Sequence, residues 1–254
     1  MDIQQAKKFK ILLVGDNCTD VYQYGTVDRI SPEAPVPVFK FNHQETKEGM
    51  AGNVLKNLLQ LNCIVDFITS TEKSVKTRLI DIRSKQQLLR VDHDIQAEPL
   101  NLSLFSELNY DAIVISDYNK GSVSYELIKG LRNNFKGPVF LDTKKPDIKQ
   151  FSGIYVKINE LEYKNITSIN DSLIVTLGSK GAMYKTNIEK LYPTPVVEVS
   201  DVCGAGDTFL SALTFEFLNT NDIEKAIMFA NKAASITVQK IGNYTPSIEE
   251  ITNV

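Results

Sequence analysis

The stretch "DVCGAGDTF", from Asp201 to Phe209, places two glycines, an alanine and an acid at the predicted start of a helix. At the N-terminus of a helix, unpaired N–H groups and the helix dipole attract anions. The residues at 204–206 could therefore hold a phosphoryl group while Asp207 takes a proton from an attacking hydroxyl. Because the helix dipole also stabilises an ionised acid in the first turn, we expect Asp207 to be a weak base.

This loop has three other interpretations. Asp is a favoured N-cap and glycine is common in turns, so the loop could be purely structural. A dinucleotide-binding GxGxxG motif would need glycine where Phe209 stands, and it would follow the first strand of the fold rather than a late one. The Walker A pattern GxxxxGK[ST] does not occur in the sequence.

The elements that must position this loop alternate between strands and helices. Apolar, β-branched runs predict seven strands: "KILLVGD", "IVDFITS", "AIVISDY", "GPVFLDT", "GIYVKIN", "SLIVTLG" and "TPVVEVS". Amphipathic helices are predicted at "MAGNVLKNLLQLN", "SVSYELIKGLRNNF", "DTFLSALTFEFL" and "DIEKAIMFANKAASITVQKI". This alternation predicts one domain over residues 1–254, an α/β fold with a doubly wound, mostly parallel sheet flanked by helices.

Polar and glycine residues follow the predicted strands directly. In such sheets, ligands bind beyond the C-terminal ends of the strands. The residues expected at this edge of the sheet are Asp16, Asp117, Asp142, Asn159, Gly178 and the 201–207 loop.

Two segments, about 17–48 and 85–96, lack helical periodicity and are predicted to form a small β-flap beside the main sheet. The first contains Pro32, Pro35 and Pro37, which suit edge strands or extended connections. A flap over the edge of the sheet would act as a lid and exclude water from phosphoryl transfer. Its edge strands would also allow two chains to pair as a homodimer.

Composition excludes several classes of protein. The 254 residues have a formal net charge of −3, which favours neither nucleic acid nor an anionic membrane surface. Three cysteines without CxxC spacing argue against a disulfide framework or a zinc site. No apolar run approaches the ~20 residues that a membrane span needs. We therefore expect a cytoplasmic enzyme that acts on a small molecule.

The glycine loop resembles the D-T-x-G-A-G-D signature of the ribokinase-like (PfkB) carbohydrate kinases. "RISPEAPVPVF" and "GMAGNVLKNL" are similar to segments of the branch that phosphorylates D-glycero-β-D-manno-heptose 7-phosphate. "SDYNKG", "FLDTKKP", "NELE", "VTLGSKGA" and "FANKAAS" follow in the order of the family, so the resemblance covers nearly the whole chain. It implies a kinase that uses ATP and Mg²⁺ to phosphorylate a hydroxyl, the anomeric C1 hydroxyl in this branch, for lipopolysaccharide precursor biosynthesis.

The resemblance also implies roles for individual residues. Asp207 would be the catalytic base, with an anion hole at Gly204, Ala205 and Gly206. The sugar would contact Asp16 and Asn53, supported by Asp20, and its phosphate would meet cations from Lys144, Arg29 and Arg90. The phosphates of ATP and Mg²⁺ would lie near Asn159 and Glu162, with Glu162 toward the metal. The nucleotide would contact Thr176, Gly178, Gly181 and Asn231. Simpler roles are helix capping for Asn159 and Glu162, and solvated side chains for the arginines.

The sequence departs from the family pattern in several places. Met50 stands where the branch has a second glycine, and Cys203 stands where the signature has threonine. About one βα unit is missing after Ser70, judged against the usual size of such units. A nucleotidyltransferase domain, found in bifunctional members of the branch, is not expected within residues 1–254.

Three hypotheses remain open from the sequence. The first is an ATP-dependent kinase of heptose 7-phosphate, or of another sugar or nucleoside. The second is a nucleotide- or sugar-binding member of the fold with weakened catalysis, motivated by Met50 and the missing unit. The third is a dinucleotide-dependent oxidoreductase, which the incomplete glycine pattern disfavours.

Overall fold

The computed structural model of the chain describes residues 8–105 and 107–254. The strands of these ranges are, in chain order, β1 (Lys10–Gly15), β2 (Asn17–Ile30), β3 (Pro37–Met50), β4 (Ile64–Ile68), β5 (Ser74–Asp81), β6 (Gln87–His93), β7 (Ala112–Asp117), β8 (Val139–Thr143), β9 (Tyr155–Asn159), β10 (Leu173–Thr176), β11 (Ala182–Lys185) and β12 (Glu189–Tyr192). The helices are α1 (Ala51–Gln60), α2 (Tyr125–Asn134), α3 (Glu160–Asn165), α4 (Ala205–Thr220), α5 (Ile223–Thr237) and α6 (Ile248–Thr252).

The main sheet has the strand order β12-β11-β10-β9-β8-β7-β1-β4. The strands from β4 to β10 in this order pair in parallel, and β11 and β12 add an antiparallel edge. This arrangement confirms the predicted doubly wound, mostly parallel α/β fold.

The sheet is covered on both faces, which explains why its strands are apolar nearly throughout. In β1, Ile11 and Leu13 point into a core that includes α1, α4, α5 and α6. Leu12 and Val14 point into a second core on the opposite face, which includes α2. Alternate residues of one strand therefore serve two different layers.

A second sheet, which we call the flap sheet, consists of β2, β3, β5 and β6 in the order β3-β2-β5-β6. Strands β2, β3 and β6 arise from the segments predicted to form a β-flap, and β5 was not predicted. Pro32 and Pro35 lie in the turn between β2 and β3, where no ladder hydrogen bond is lost. Strand β2 pairs in antiparallel fashion with β3 and in parallel with β5.

One predicted strand is wrong. Residues 194–200 ("TPVVEVS") form no strand, although their apolar residues suggested one. Pro195 has no N–H to give to a ladder. The N–H groups of Ser200 and Asp201 instead donate to the carbonyl oxygen of Val238, at the end of α5. The antiparallel strands β11 and β12, which were not predicted, extend the edge of the sheet just before this loop.

None of the helices within the described ranges combines the length and the apolar character that crossing a membrane would require.

Candidate active site

Helix α4 begins directly after Gly204 and carries Asp207 in its first turn. Gly204 has φ 77°, a conformation that residues with a Cβ rarely adopt. A Cβ on Gly204 would lie 2.8 Å from Nδ2 of Asn53, and one on Gly206 would lie 2.9 Å from Nζ of Lys157. The backbone conformation at position 204 therefore favours glycine, and a larger residue at position 206 would displace the end of the Lys157 side chain.

Asp207 is only 6% exposed, and both of its carboxylate oxygens accept hydrogen bonds. Nδ2 of Asn53 donates to Oδ2, and the hydroxyl of Tyr118 donates to Oδ1, each over 2.8 Å. Burial raises the pKa of Asp207 to about 6, and the nearby charge of Asp142 adds to the rise. The two hydrogen bonds and the charge of Lys157 oppose it without reversing it.

The expectation that the helix N-terminus makes Asp207 a weak base is therefore wrong, because burial outweighs the stabilisation of the charged form. A base whose pKa lies just below neutral pH is mostly ionised there and still accepts a proton readily. The environment of Asp207 thus suits general base chemistry better than the sequence suggested.

Asp16 follows β1 and uses its carboxylate to hold the loop at residues 118–122. The N–H groups of Tyr118 and Lys120 donate to Oδ2 over 2.9 Å each. The N–H and the hydroxyl of Ser122 donate to Oδ1. Four donors are about the full capacity of a carboxylate. Direct contact of Asp16 with a sugar stays a prediction, and in this structure Asp16 fixes the position of Tyr118.

A polar cleft of about 130 Å³ opens beside Asp207. It is lined by Asp117, Tyr118, Asp142, Lys144, Lys157, Asn159, Glu162, Gly204, Gly206 and Asp207. The structure therefore brings Lys144, Asn159 and Glu162, three of the residues singled out in the sequence, to the same cleft as Asp207.

Asn159 and Glu162 also form a reciprocal capping box at the start of α3. Oδ1 of Asn159 accepts from the Glu162 N–H, and Oε2 of Glu162 accepts from the Asn159 N–H, each over 2.8 Å. Oε1 of Glu162 lies 3.4 Å from Nζ of Lys144. The capping alternative is thus present in the structure, and the same two side chains still line the cleft.

The buried ion pair of the cleft was missed in the sequence, although Asp142 was expected at this edge of the sheet. Lys157 of β9 is buried and its Nζ lies 2.7 Å from Oδ2 of Asp142 in β8. Burial acts to lower the pKa of Lys157, but the carboxylate of Asp142 reverses this and raises it. The ammonium group is therefore charged beneath Gly206. A lysine inside an otherwise apolar strand was the available signal.

On the flap sheet, Asp20 of β2 is buried and bound by the guanidinium of Arg78 in β5. Arg78 also lies 5.4 Å from the ring centroid of Tyr22. The two arginines chosen from the sequence lie elsewhere: Arg29 is exposed near the end of β2, and Arg90 is exposed and paired with Asp92. Neither lines the polar cleft. Arg78 was missed because the strand that carries it was not predicted.

On the other side of the glycine loop lies an apolar cavity of about 270 Å³. All four predicted nucleotide-binding residues line it, namely Thr176, Gly178, Gly181 and Asn231. Nδ2 of Asn231 donates to the carbonyl oxygen of Tyr192 over 2.8 Å and so anchors the start of the 193–203 loop.

Four valines contribute to the remaining walls of the apolar cavity. Val196, Val197 and Val199 belong to the segment wrongly predicted as a strand, and Val202 follows it. Val196 is 100% exposed, which is unusual for an apolar side chain beside a cavity. Gly206 belongs to both the apolar cavity and the polar cleft, so the loop separates the two spaces.

Two of the departures from the family pattern, Met50 and Cys203, lie in the part of the chain that the structure describes. Met50 caps α1 with φ 52°, a backbone conformation that favours glycine, although its side chain is buried. Partial burial raises the pKa of Cys203 to about 11, and its hydrogen bond with Asp201 adds to the rise. The Cys203 thiol is therefore protonated at neutral pH, which argues against a reactive thiolate beside the loop.

The chain is similar to known proteins in both sequence and fold. A family model described as pfkB family carbohydrate kinase matches residues 156–251. The bifunctional protein HldE of a Nitratiruptor species is 33% identical over 298 residues, which cover 96% of this chain and 64% of that protein. The Arabidopsis thaliana ribokinase complexed with ribose and ATP has a TM-score of 0.73 and 17% identity, covering 97% of this chain and 98% of that one. Phosphofructokinase-2 from Escherichia coli in complex with potassium has a TM-score of 0.76 and 15% identity, covering 98% of each chain.

The chain thus spans slightly less than two thirds of the length of its HldE relative. The alignment covers 298 positions although the chain has 254 residues, so the relative carries residues in the matched region that this chain lacks. The structure agrees with the predicted loss of a βα unit after Ser70. Strand β4 is the edge of the main sheet, and residues 69–73 lead directly from it into β5.

Proposed function

We propose that the chain is a carbohydrate kinase of the pfkB family and that it transfers the γ-phosphate of ATP to a hydroxyl of a phosphosugar. The acceptor we favour is D-glycero-β-D-manno-heptose 7-phosphate, with transfer to its anomeric C1 hydroxyl, because the sequence resembles that branch. The observation that carries the proposal is the position of Asp207. It is a buried carboxylate with a raised pKa, directly after a glycine loop that separates a polar cleft from an apolar cavity.

In the proposed reaction, Asp207 takes the proton of the acceptor hydroxyl. The hydroxyl oxygen forms a bond to the γ-phosphorus while the bond from that phosphorus to the β–γ bridging oxygen breaks, and ADP leaves. Negative charge on the transferred group would be stabilised by N–H groups at 204–206, by the N-terminus of α4 and by the ammonium of Lys157 beneath Gly206. Closure of the flap sheet would exclude water, which would otherwise compete as acceptor.

We assign the nucleotide base to the apolar cavity. Apolar walls with a few polar groups are typical of such sites, and Asn231 and Thr176 are the predicted residues that supply polar side chains there. The triphosphate would then extend past Gly206 toward the polar cleft, where Lys144 and Lys157 supply positive charge.

Mg²⁺ supplies positive charge to the phosphates when it binds with ATP. Among residues 8–105 and 107–254, no cluster of three His, Cys, Asp or Glu side chains could hold a metal unaided. Mg²⁺ commonly keeps water and phosphate ligands and needs only one or two carboxylates. Glu162, with Asp142 close enough to interact electrostatically, fits that requirement.

The phosphate of the acceptor needs cations of its own. Arg29, Arg90 and Lys144 were predicted for this role, and we add Arg78, whose charge acts on Cys18 and Cys203. Asp16, Asp20 and Asn53 would orient the sugar hydroxyls, directly or through the groups they hold.

A cytoplasmic location also remains a prediction.

We further propose that two chains pair through the flap sheet. Leu89 and Val91 of β6 are about half exposed on one face of this sheet, where a second chain would cover them. Sedimentation of the wild-type chain and of Leu89→Ser measures the association. A monomeric wild-type chain at micromolar concentration would contradict the pairing.

The test of the function is ADP release with ATP·Mg²⁺ and a panel of sugars with and without a phosphate group, using Asp207→Asn as the control. We expect turnover with one or more phosphosugars and much weaker turnover with the unphosphorylated sugars. Thermal shift with the same compounds reports binding separately, since a ligand stabilises the fold that binds it.

The alternative that the chain binds its ligands without transferring phosphate rests on the residues missing relative to HldE. Thermal stabilisation by both ATP·Mg²⁺ and a phosphosugar, without ADP release by the folded wild-type chain, would favour that alternative. Absence of stabilisation by ATP would contradict both hypotheses.

A further inference from the structure

Tyr118 makes a contact that the family resemblance did not assign. Its hydroxyl donates to Oδ1 of Asp207 over 2.8 Å, while Nδ2 of Asn53 donates to Oδ2 over the same distance. The two donors come from different elements, one from the loop after β7 and one from α1. Together they fix the plane of the carboxylate.

The Tyr118 hydroxyl stays a donor over the whole working range of pH. Burial raises the pKa of Tyr118 well above its ordinary value, and the negative charge of Asp207 raises it further. A neutral phenol next to a carboxylate can only donate its proton in the hydrogen bond. The contact is therefore a charge-assisted hydrogen bond to the ionised form of Asp207.

The loop that carries Tyr118 is held from two sides. Asp16 accepts four hydrogen bonds from residues 118–122, including one from the Tyr118 N–H. Oδ1 of Asp117 accepts from the Asn119 N–H over 2.9 Å, and Asp117 is itself paired with Lys145. Nζ of Lys144 lies 4.9 Å from the centroid of the Tyr118 ring. The phenol therefore has little freedom to leave Asp207.

We propose that Tyr118 is a positioning residue for the base: it holds Oδ1 of Asp207 so that Oδ2, next to Asn53, takes the proton of the acceptor. This inference rests on the proposed function. Asn53 is the predicted sugar ligand, so an acceptor hydroxyl that approaches along Asn53 meets Oδ2. Asn53 then exchanges its hydrogen bond to Oδ2 for one to the sugar, whereas Tyr118 keeps its own. Asp16 acts one step further away, by holding the loop.

Other charged and titratable groups also face Asp207. They are Asp142 of β8, Lys157 of β9 and Cys18 of β2. Asp142 raises the pKa of Asp207, and Lys157 lowers it. The Tyr118 hydrogen bond lowers it as well, so loss of this bond leaves the other influences in place and moves the titration of Asp207 to higher pH.

The experiment compares wild-type chain with Tyr118→Phe, which keeps the ring and removes only the donor. With the phosphosugar that the wild-type chain uses best, we expect kcat to fall about 10-fold, the size of one hydrogen bond to a charged group. The acidic limb of the kcat–pH profile should move to higher pH, and KM for ATP should stay within about twofold. The matched control is Tyr125→Phe, whose ring stacks on Phe151 in the second core, and we expect its profile to be unchanged.

The titration of Asp207 is also followed by carbon-13 NMR of side-chain carboxyls, with Asp207→Asn to assign the signal. This readout needs no substrate, so it tests the inference even where no phosphosugar is turned over and the proposed function fails. A carboxyl that titrates at higher pH in Tyr118→Phe supports the inference. A lower kcat or melting temperature with both the carboxyl titration and the acidic limb unmoved would overturn it, since that is the result of a purely structural role.

Discussion

The apolar cavity and the polar cleft share Gly206, but the residues that line them differ in chemical character. The apolar cavity is lined by glycines, apolar side chains and a few small polar ones, and four of its valines lie on a loop without regular structure. The polar cleft is lined by ionisable side chains that extend from the ends of strands in the main sheet, and several of them are almost fully buried.

This difference indicates how strongly substitutions in the apolar cavity and in the polar cleft should affect function. A nucleotide base gains from apolar contact over a broad area, so single changes in the apolar cavity should have small effects. In the polar cleft, charges are buried in fixed pairs, and removal of one partner leaves the other unpaired. The comparison predicts large functional effects on the polar side, and it also predicts a stability penalty for holding Asp207 there.

The largest effect is expected for Asp207→Asn. The amide keeps the size of the side chain but cannot accept the proton, so kcat should fall about 10²- to 10⁴-fold, the usual contribution of a general base. ADP release at saturating substrates measures it, with Asp171→Asn as an exposed control that should retain wild-type activity. A decrease of less than about tenfold would mean that Asp207 is not the base and that the two sides of the loop differ less than we argue.

The same variant should be more stable than the wild-type chain at alkaline pH. The pKa of Asp207 is about 6 in the folded chain, above its ordinary value of 3.8. The protonated side chain of Asp207 therefore makes its full contribution to the free energy of unfolding below pH 3.8, and this contribution is lost as the pH rises through 6. The two values correspond to a loss of up to about 3 kcal/mol at pH 8.

The asparagine side chain of this variant does not ionise, so the variant does not undergo this loss. Urea denaturation of both chains at pH 8 and pH 4 measures the difference in the free energy of unfolding. We expect the advantage of Asp207→Asn to be larger at pH 8 by up to about 3 kcal/mol. An equal difference at the two pH values would show that burial of the charge is not what destabilises the polar cleft.

The sequence predicted the parts of this site that depend on local pattern. Apolar runs located the six parallel strands of the main sheet, and the glycine loop located Asp207 at the start of α4. Tyr118 and Lys157 could not be found in this way. Their roles depend on contacts between elements far apart in sequence. The only local signal is an unusual polar residue: Tyr118 follows an apolar run, and Lys157 lies inside one.

The strand wrongly predicted at 194–200 shows the opposite failure. A short run of valines is typical of a strand, and the same valines equally suit a cavity wall that a ligand would cover. Periodicity cannot distinguish burial by the protein from burial by a ligand. The flap was predicted only in part, because β5 follows β4 after five residues and its Lys76 and Arg78 interrupt the apolar pattern.

Gly206→Ala tests the boundary between the two spaces. The added Cβ would lie 2.9 Å from Nζ of Lys157, which is buried and paired with Asp142, so the loop or the lysine must shift. A displacement of a few tenths of an ångström at the proposed anion hole should lower kcat about 10- to 100-fold. Because the apolar cavity keeps its other walls, KM for ATP should change less than about threefold. A larger effect on KM than on kcat would contradict the assignment of Gly206 to phosphoryl stabilisation.

The smallest effect is expected in the apolar cavity. Val199 lines it and is 54% exposed, so a bound nucleotide should cover a large part of its side chain. Val199→Ser removes apolar area that would be buried when the nucleotide binds. The resulting loss of binding free energy should be well under the ~1.5 kcal/mol gained by burying a whole valine side chain. We expect KM for ATP to rise about two- to fivefold with kcat unchanged. Val36→Ser is the matched control, because Val36 has similar exposure, 51%, but lies in the turn between β2 and β3. If both variants raise KM equally, or if Val199→Ser lowers kcat instead, the nucleotide base does not contact the 193–203 loop.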